Sequence, residues 1–192
     1  MNETDKARLG LLPRLAELAP AGHIGRTALM KYMYFLQTVR AVPLGYNFSM
    51  YSYGPFDSDV LADLSSAETM RVVEVTPVEF SGGYGYRIRP GARAEAAKRD
   101  AENFLATYAE DVDWLFSSFG GLNSAELELT STIVYVDRES ARKEQRLSVA
   151  EISARVNEIK PHFSKERVQE FVEDLKFKGI LIATAERMRR AG

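Results

Sequence analysis

The chain has no cysteine, two histidines (His23 and His162) and no hydrophobic run near the ~18 residues that span a bilayer. Without cysteine there is no disulfide framework, no thiolate metal ligand and no thiol nucleophile. The histidines have no His or Cys neighbour at metal-ligand spacing, so no zinc site is expected. No Gly-x-Ser-x-Gly elbow occurs, and Gly83-Tyr84-Gly85 is not followed by a helical pattern whose N-terminus could hold a phosphate. A strong excess of one charge is also lacking. Twenty-seven acids face 25 bases, which excludes a whole-protein basic field for gripping nucleic acid. The polar start Met1–Lys6 has no apolar signal-peptide core, and the end has no lipidation box; a cytoplasmic protein without a membrane segment is expected.

What is present is an ordinary globular composition, 45% hydrophobic and 27% charged over 192 residues. The charge is uneven. Residues 1–56 carry +3, 57–137 carry −9 and 138–192 carry +4. Two differently charged surfaces suit a charged partner.

Leu9, Leu12, Leu15 and Leu18 form a helical stripe ended by Pro20-Ala21-Gly22, with Pro13 inside it as a kink or late start. A second helix runs from about Gly25 to Arg40 with a wide apolar band. Residues 46–53 alternate as a strand, Gly54-Pro55 stops it, and Asp57 or Ser58 caps a helix through Glu68. Residues 71–76 and 84–88 pair across Ser81-Gly82-Gly83, a turn sequence that tolerates positive φ. Helix, helix, strand, helix and hairpin is the order of a winged helix with an added strand. A long helix over 94–118 follows, then a helix from Asn123, a polar stretch 138–146 expected as a frayed end and loop, helices opened by Ser148 and Ser164, and a short apolar strand 180–183. The expected fold is mainly α with a small β-hairpin (α+β): tandem winged-helix-like or helix-turn-helix-like units joined by a long central helix. The expected units are residues 1–91, with the aromatic strand and wing, and 92–192, with the second helix-turn-helix-like element.

Chemistry-bearing patterns are sparse. Asp59 and Asp63 share a helix face, but a cation site needs more oxygen ligands, so a solvated acidic face is the expected reading. Eight of the 20 aromatic residues lie between Tyr32 and Phe56. Most belong in a core. Alternation, however, puts Tyr51 and Tyr53 opposite Tyr46 and Phe48, so one pair faces away from helix two; Tyr51 and Tyr53 are the candidates for a partner surface. The helix before the wing, which would enter a major groove, holds four acids and no base over 57–68, so phosphate would be repelled there. The nucleic-acid alternative uses Arg87 and Arg89 on the wing stem with Arg138, Arg142, Lys143 and Arg146.

Two phrases carry a resemblance. The run Gly25-Arg26-Thr27-Ala28-Leu29-Met30-Lys31-Tyr32-Met33-Tyr34-Phe35-Leu36-Gln37 resembles the lysine and aromatic-pair helix of the Panacea, or SocA-like antitoxin, proteins and of the related YwgA-like proteins. Tyr51-Ser52-Tyr53-Gly54-Pro55-Phe56-Asp57 resembles their aromatic-x-Tyr-Gly-Pro segment. Residues 126–135 and 159–164 are similar to YwgA-like C-terminal segments, and Met30 stands where a glutamine commonly precedes the lysine. The resemblance implies a non-enzymatic, cofactor-free prokaryotic protein of the toxin–antitoxin or phage-defence kind, with a protein partner such as a toxin. It marks Lys31, Tyr34, Tyr53, Gly54 and Pro55 as motif positions. The expected partner surface is Lys31, Tyr34, Tyr51, Tyr53, Asp59 and Asp63, and charge reversal at Asp59 and Asp63 is expected to weaken capture without unfolding.

Overall fold

A computed structural model describes residues 2–80 and 83–184. The chain is mainly helical with two small antiparallel hairpins, an α+β composition. It divides into two compact units. The first holds residues 1–51 and 55–127; the second holds 52–54 and 128–192.

In the first unit, α1 (Glu3–Leu18) opens with a reciprocal cap: the Asp5 amide donates to the Asn2 side chain and the Asn2 amide to the Asp5 carboxylate. It runs through Pro13, whose ring is buried, so the helix does not start late. The next helix, α2 (Arg26–Val39), buries eight consecutive residues, Leu29 to Leu36, as its wide apolar band requires. The aromatic stretch expected as one strand forms a hairpin instead, β1 (Ser49–Tyr51) and β2 (Gly54–Phe56). Gly54 supplies the positive φ of 87° at its turn. Helix α3 (Ser58–Thr69) is capped by Asp57, which accepts the Asp59 amide at 2.9 Å.

Then β3 (Val73–Phe80) and β4 (Gly83–Pro90) pair in register from Val73↔Pro90 to Phe80↔Gly83, longer than the β-branched run alone indicates. Of the expected turn, Ser81 and Gly82 lie outside the described residues. The base of this hairpin enters the core through Ile88, which is fully buried and exchanges two main-chain hydrogen bonds with Ile24.

The single long helix expected over 94–118 is three segments, α4 (Ala94–Asp100), α5 (Glu102–Thr107) and α6 (Ala109–Phe119). The breaks are at Ala101 (φ −108°, ψ 13°) and Tyr108 (φ −107°, ψ 19°). Each break ends one helix and starts the next: the Ala101 and Tyr108 amides close the preceding helices on the Ala97 and Phe104 carbonyls, and their own carbonyls accept the Leu105 and Val112 amides of the following ones. The cause is packing. α4 crosses α1 so closely at Gly10 that a Cβ there would lie 2.4 Å from the Ala101 Cβ, while α6 packs on α2, with Phe119 stacked on Phe35 at 4.2 Å. One straight rod cannot follow both neighbours.

The second unit contains most of α7 (Ser124–Arg142), α8 (Val149–Ile159) and α9 (Lys165–Phe177). Helix α8 starts with the capping box Ser148–Glu151, and Ser164 caps α9 through the Arg167 amide. Two expectations change here. The stretch 138–146 is not a frayed loop throughout, since α7 continues to Arg142 and buries Ser140. Residues 180–183 form no strand. They are held by Asp137, a fully buried carboxylate that accepts the Ile182 amide at 3.0 Å and the Ala183 amide at 2.8 Å and pairs with Arg138. A carboxylate that gathers backbone amides replaces the sheet partner that a strand would need. No helix among the described residues is long and apolar enough to cross a membrane.

Candidate partner-binding surface

The β1–β2 hairpin is fixed from inside. Lys31, in the middle of the apolar band of α2, is 2% exposed, and its Nζ donates to the Pro55 carbonyl at 2.7 Å. Gln37, two turns further on, clamps Tyr46 from both sides: its Nε2 donates to the Tyr46 carbonyl and its Oε1 accepts the Tyr46 amide, each at 2.8 Å. Asp57 accepts the Asn47 amide with its other oxygen while it caps α3. Three polar side chains thus satisfy backbone groups of an irregular segment that the sheet cannot.

Behind the clamp lies a second cluster. The Tyr46 hydroxyl donates to Asp63 at 2.8 Å, Arg8 approaches the same carboxylate at 3.3 Å and donates to the Leu44 carbonyl, and the guanidinium sits 4.0 Å from the Tyr46 ring centre. Burial, with the negative charge of Asp63 next, pushes the Tyr46 hydroxyl pKa far above the tyrosine range.

These contacts sort the expected partner residues. Tyr51 and Tyr53 are 63% and 74% exposed. The Tyr51 ring leans on Phe56 at 5.3 Å, which orders it at the surface. Asp59 is exposed on the first turn of α3. Lys31 and Tyr34 are interior; the Tyr34 ring packs edge-on against Phe48 at 5.2 Å. Asp63 is part-buried and committed to Arg8 and Tyr46, so reversing its charge disturbs the fold, and a clean surface test is confined to Asp59. The acidic face expected on α3 shrinks accordingly. Asp57 and Asp63 serve internal groups, which leaves Asp59 and Glu68 in solvent.

In the second unit, Lys160 is buried, pairs with Glu128 at 2.6 Å and donates to the Ser52 carbonyl in the 52–54 turn that carries Tyr53. His162 Nε2 lies 3.6 Å from the same Glu128 carboxylate. His23 is occupied locally, its Nδ1 2.9 Å from the Ala21 carbonyl. No group of three His, Cys, Asp or Glu side chains among the described residues is arranged to hold a metal ion.

The basic residues of the nucleic-acid alternative do not share one unit. Arg87 and Arg89 are on β4 in the first. In the second, Arg138 is locked between Asp137 and the Ile180 carbonyl, Arg142 pairs with Glu139, and Lys143 and Arg146 are exposed.

The sequence pattern missed Arg8, Gln37 and Lys160 as anchors. Gln37 and Lys31 carried one signal, a polar residue within an apolar helical band, but that signal does not name the carbonyl that uses it. Arg26 was also missed; its guanidinium lies 3.4 Å from the Tyr86 ring centre. Compared with protein-family models and with curated proteins, the chain matches none of them.

Proposed function

We propose that this protein is a non-enzymatic protein-binding module, antitoxin-like or phage-defence-associated, which works in the cytoplasm and holds a protein partner such as a toxin. The observation that carries this reading is the pair of exposed tyrosines, Tyr51 and Tyr53, on a hairpin that Lys31 pins at Pro55 and whose lead-in at Tyr46 and Asn47 is held by Gln37 and Asp57. Large aromatic side chains on a rigid support give much contact area at little entropic cost, the usual make-up of an interface hot spot. Asp59 adds a negative charge on the first turn of the adjoining helix, suited to a basic partner. In this reading the first unit is a winged-helix-like scaffold, α1, α2, α3 and the β3–β4 wing. The α8–α9 pair is a second helix-turn-helix-like element, and both are turned to docking protein rather than duplex.

The regulator alternative rests on Arg87 and Arg89 in the wing stem. Against it, α3 exposes Asp59 and Glu68 and has no base, where a duplex would need counterion-releasing contacts. The test is titration calorimetry against the purified products of the neighbouring open reading frames, at two salt concentrations, with duplex DNA as a further titrant. A tight complex is expected. Tyr51→Ala with Tyr53→Ala should weaken it by about 2 kcal/mol or more, Asp59→Lys should weaken it further, and the circular dichroism spectrum should stay unchanged. Unaltered affinity in the tyrosine variant, or duplex binding that falls steeply with salt, overturns the reading.

A further inference from the structure

The β3–β4 hairpin has two edges, and they are not alike. Ile24 and Ile88 exchange both main-chain hydrogen bonds, so the N–H and C=O of Ile88 point away from β3. In an antiparallel ladder these directions alternate along the strand, so Tyr86 and Tyr84 also point their N–H and C=O outward. The register agrees: Ile88, Tyr86 and Tyr84 stand opposite Val75, Pro77 and Glu79, the pairs that exchange no bonds with one another. On β3 the outward positions therefore include Pro77, which has no N–H to offer. That edge is closed to strand addition in the way natural sheets protect themselves.

The β4 edge is open. Ile24-Gly25 begins a third strand beside it and abandons it after one bridge, because Arg26 starts α2. From Tyr86 to Tyr84 the outward main-chain groups receive no backbone bond among the described residues.

The side chains around this edge state what would fit. Tyr84 is 80% and Tyr86 40% exposed, on the same face as the buried Ile88. Arg26 lies over the Tyr86 ring, and Arg87 and Arg89 project from the opposite face of β4. Among the described residues none of these three arginines has a carboxylate within ion-pair distance, and the Nε atoms of Arg26 and Arg87 are buried with no hydrogen-bond partner.

We infer that the Tyr84–Tyr86 edge of β4 is a docking site for an extended, acidic segment of a protein partner, which adds the missing third strand. Main-chain pairing with Tyr84 and Tyr86 holds the segment, the tyrosines cover its apolar side chains, and the arginines meet its carboxylates. A peptide fits better than a phosphate backbone, because the edge presents carbonyl oxygens as often as amides, and a peptide backbone supplies the N–H groups those carbonyls need while a phosphate has none. The inference rests on the protein-binding reading but uses a surface apart from Tyr51 and Tyr53.

The probe is a short synthetic peptide of alternating valine and glutamate, measured by fluorescence anisotropy. It is run beside the same peptide N-methylated at alternate residues, a short DNA duplex, and sedimentation of the protein alone. The expected result is binding of the first peptide that weakens about tenfold on N-methylation and about tenfold in Tyr84→Pro, which removes one outward N–H from an edge that tolerates proline. Arg87→Ala with Arg89→Ala should weaken it as well. A nearest-neighbour variant, Gly85→Ala, whose amide faces β3, should bind normally and shows that the hairpin survives substitution. Equal binding of the methylated peptide or of the duplex overturns the inference in favour of simple charge attraction. A concentration-dependent dimer lost in Tyr84→Pro assigns the edge to a second copy instead, and no binding by any probe removes the site. If these fail while the toxin titration succeeds, the protein-binding reading stands and only this edge is lost.

Discussion

The two hairpins are built on opposite principles. The β1–β2 hairpin has three-residue strands that could not hold themselves, and its surroundings are fastened by side chains reaching backbone groups: Lys31 to Pro55, Gln37 to Tyr46, Asp57 to Asn47. The β3–β4 hairpin has eight-residue strands held by their own ladder and rooted in the core at Ile88 and Val73, with most of its length in solvent. One is held by side chains reaching it from the core; the other is held mainly by its own ladder. Local stability in proteins follows such differences in burial and in how backbone hydrogen bonds are shielded. A displayed pair of tyrosines needs the first kind of support, while a strand edge that takes up a partner works with the second.

The most damaging way to break the comparison is to remove the grip. Lys31→Met keeps the side-chain volume and leaves the Pro55 carbonyl buried without its ammonium donor. An unmade bond at a buried carbonyl should lower unfolding free energy by about 3 kcal/mol in urea titrations, because the carbonyl loses its solvation as well as its partner. A loss below about 1 kcal/mol would mean that the strands, not Lys31, hold the hairpin.

Tyr46 supplies the next effect, and it carries a pH signature. Burial and Asp63 raise its pKa, so the folded protein keeps this proton where the unfolded chain gives it up. With more protons bound in the folded state, stability falls as pH rises above the ordinary tyrosine pKa of about 10. Below that value the contribution is complete. Tyr46→Phe loses the hydrogen bond to Asp63 and should cost about 1 kcal/mol at neutral pH. It should also flatten the alkaline fall in stability, read by denaturant titrations at several pH values. An unchanged alkaline slope in the variant would show that Tyr46 is not the group whose retained proton makes stability fall at high pH.

These anchors also explain what could be read in the sequence. Periodicity located the apolar stripes of α1, α2, α8 and α9, and the β-branched run with its glycine turn located β3–β4, because those signals are local. The alternation at 46–53 correctly set Tyr51 and Tyr53 apart from Tyr46, which is buried. It gave no warning that Lys31 and Asp63 turn inward, since their partners Pro55 and Arg8 lie 24 and 55 residues away. The breaks at Ala101 and Tyr108 were hidden for the same reason. An apolar stripe over 94–118 reads as helical whether it forms one helix or three, and the partners that decide, Gly10 of α1 and Phe35 of α2, lie far away in the chain. The residues at 180–183 have the composition of a strand but find a carboxylate, Asp137, instead of a neighbouring strand.

The smallest effect is expected at the far end of β3–β4, where it sharpens the contrast. Gly83 has φ 135°, a region open to glycine and strained for any L side chain, and a Cβ there would meet nothing within 4 Å. Gly83→Ala therefore introduces backbone strain of about 1–2 kcal/mol with no clash to relieve. In the gripped hairpin such strain would be transmitted to the core. Here the Phe80↔Gly83 and Glu79↔Tyr84 pairs can open while Ile88 remains bonded to Ile24, so most of the strain is released locally. The urea midpoint should shift little. Amide exchange at Val78 and Gly85, which donate within the ladder, should quicken, while exchange at Ile88 should not. Equal acceleration at all three would show that the ladder opens as one body with the core, and the two hairpins would then differ in length alone.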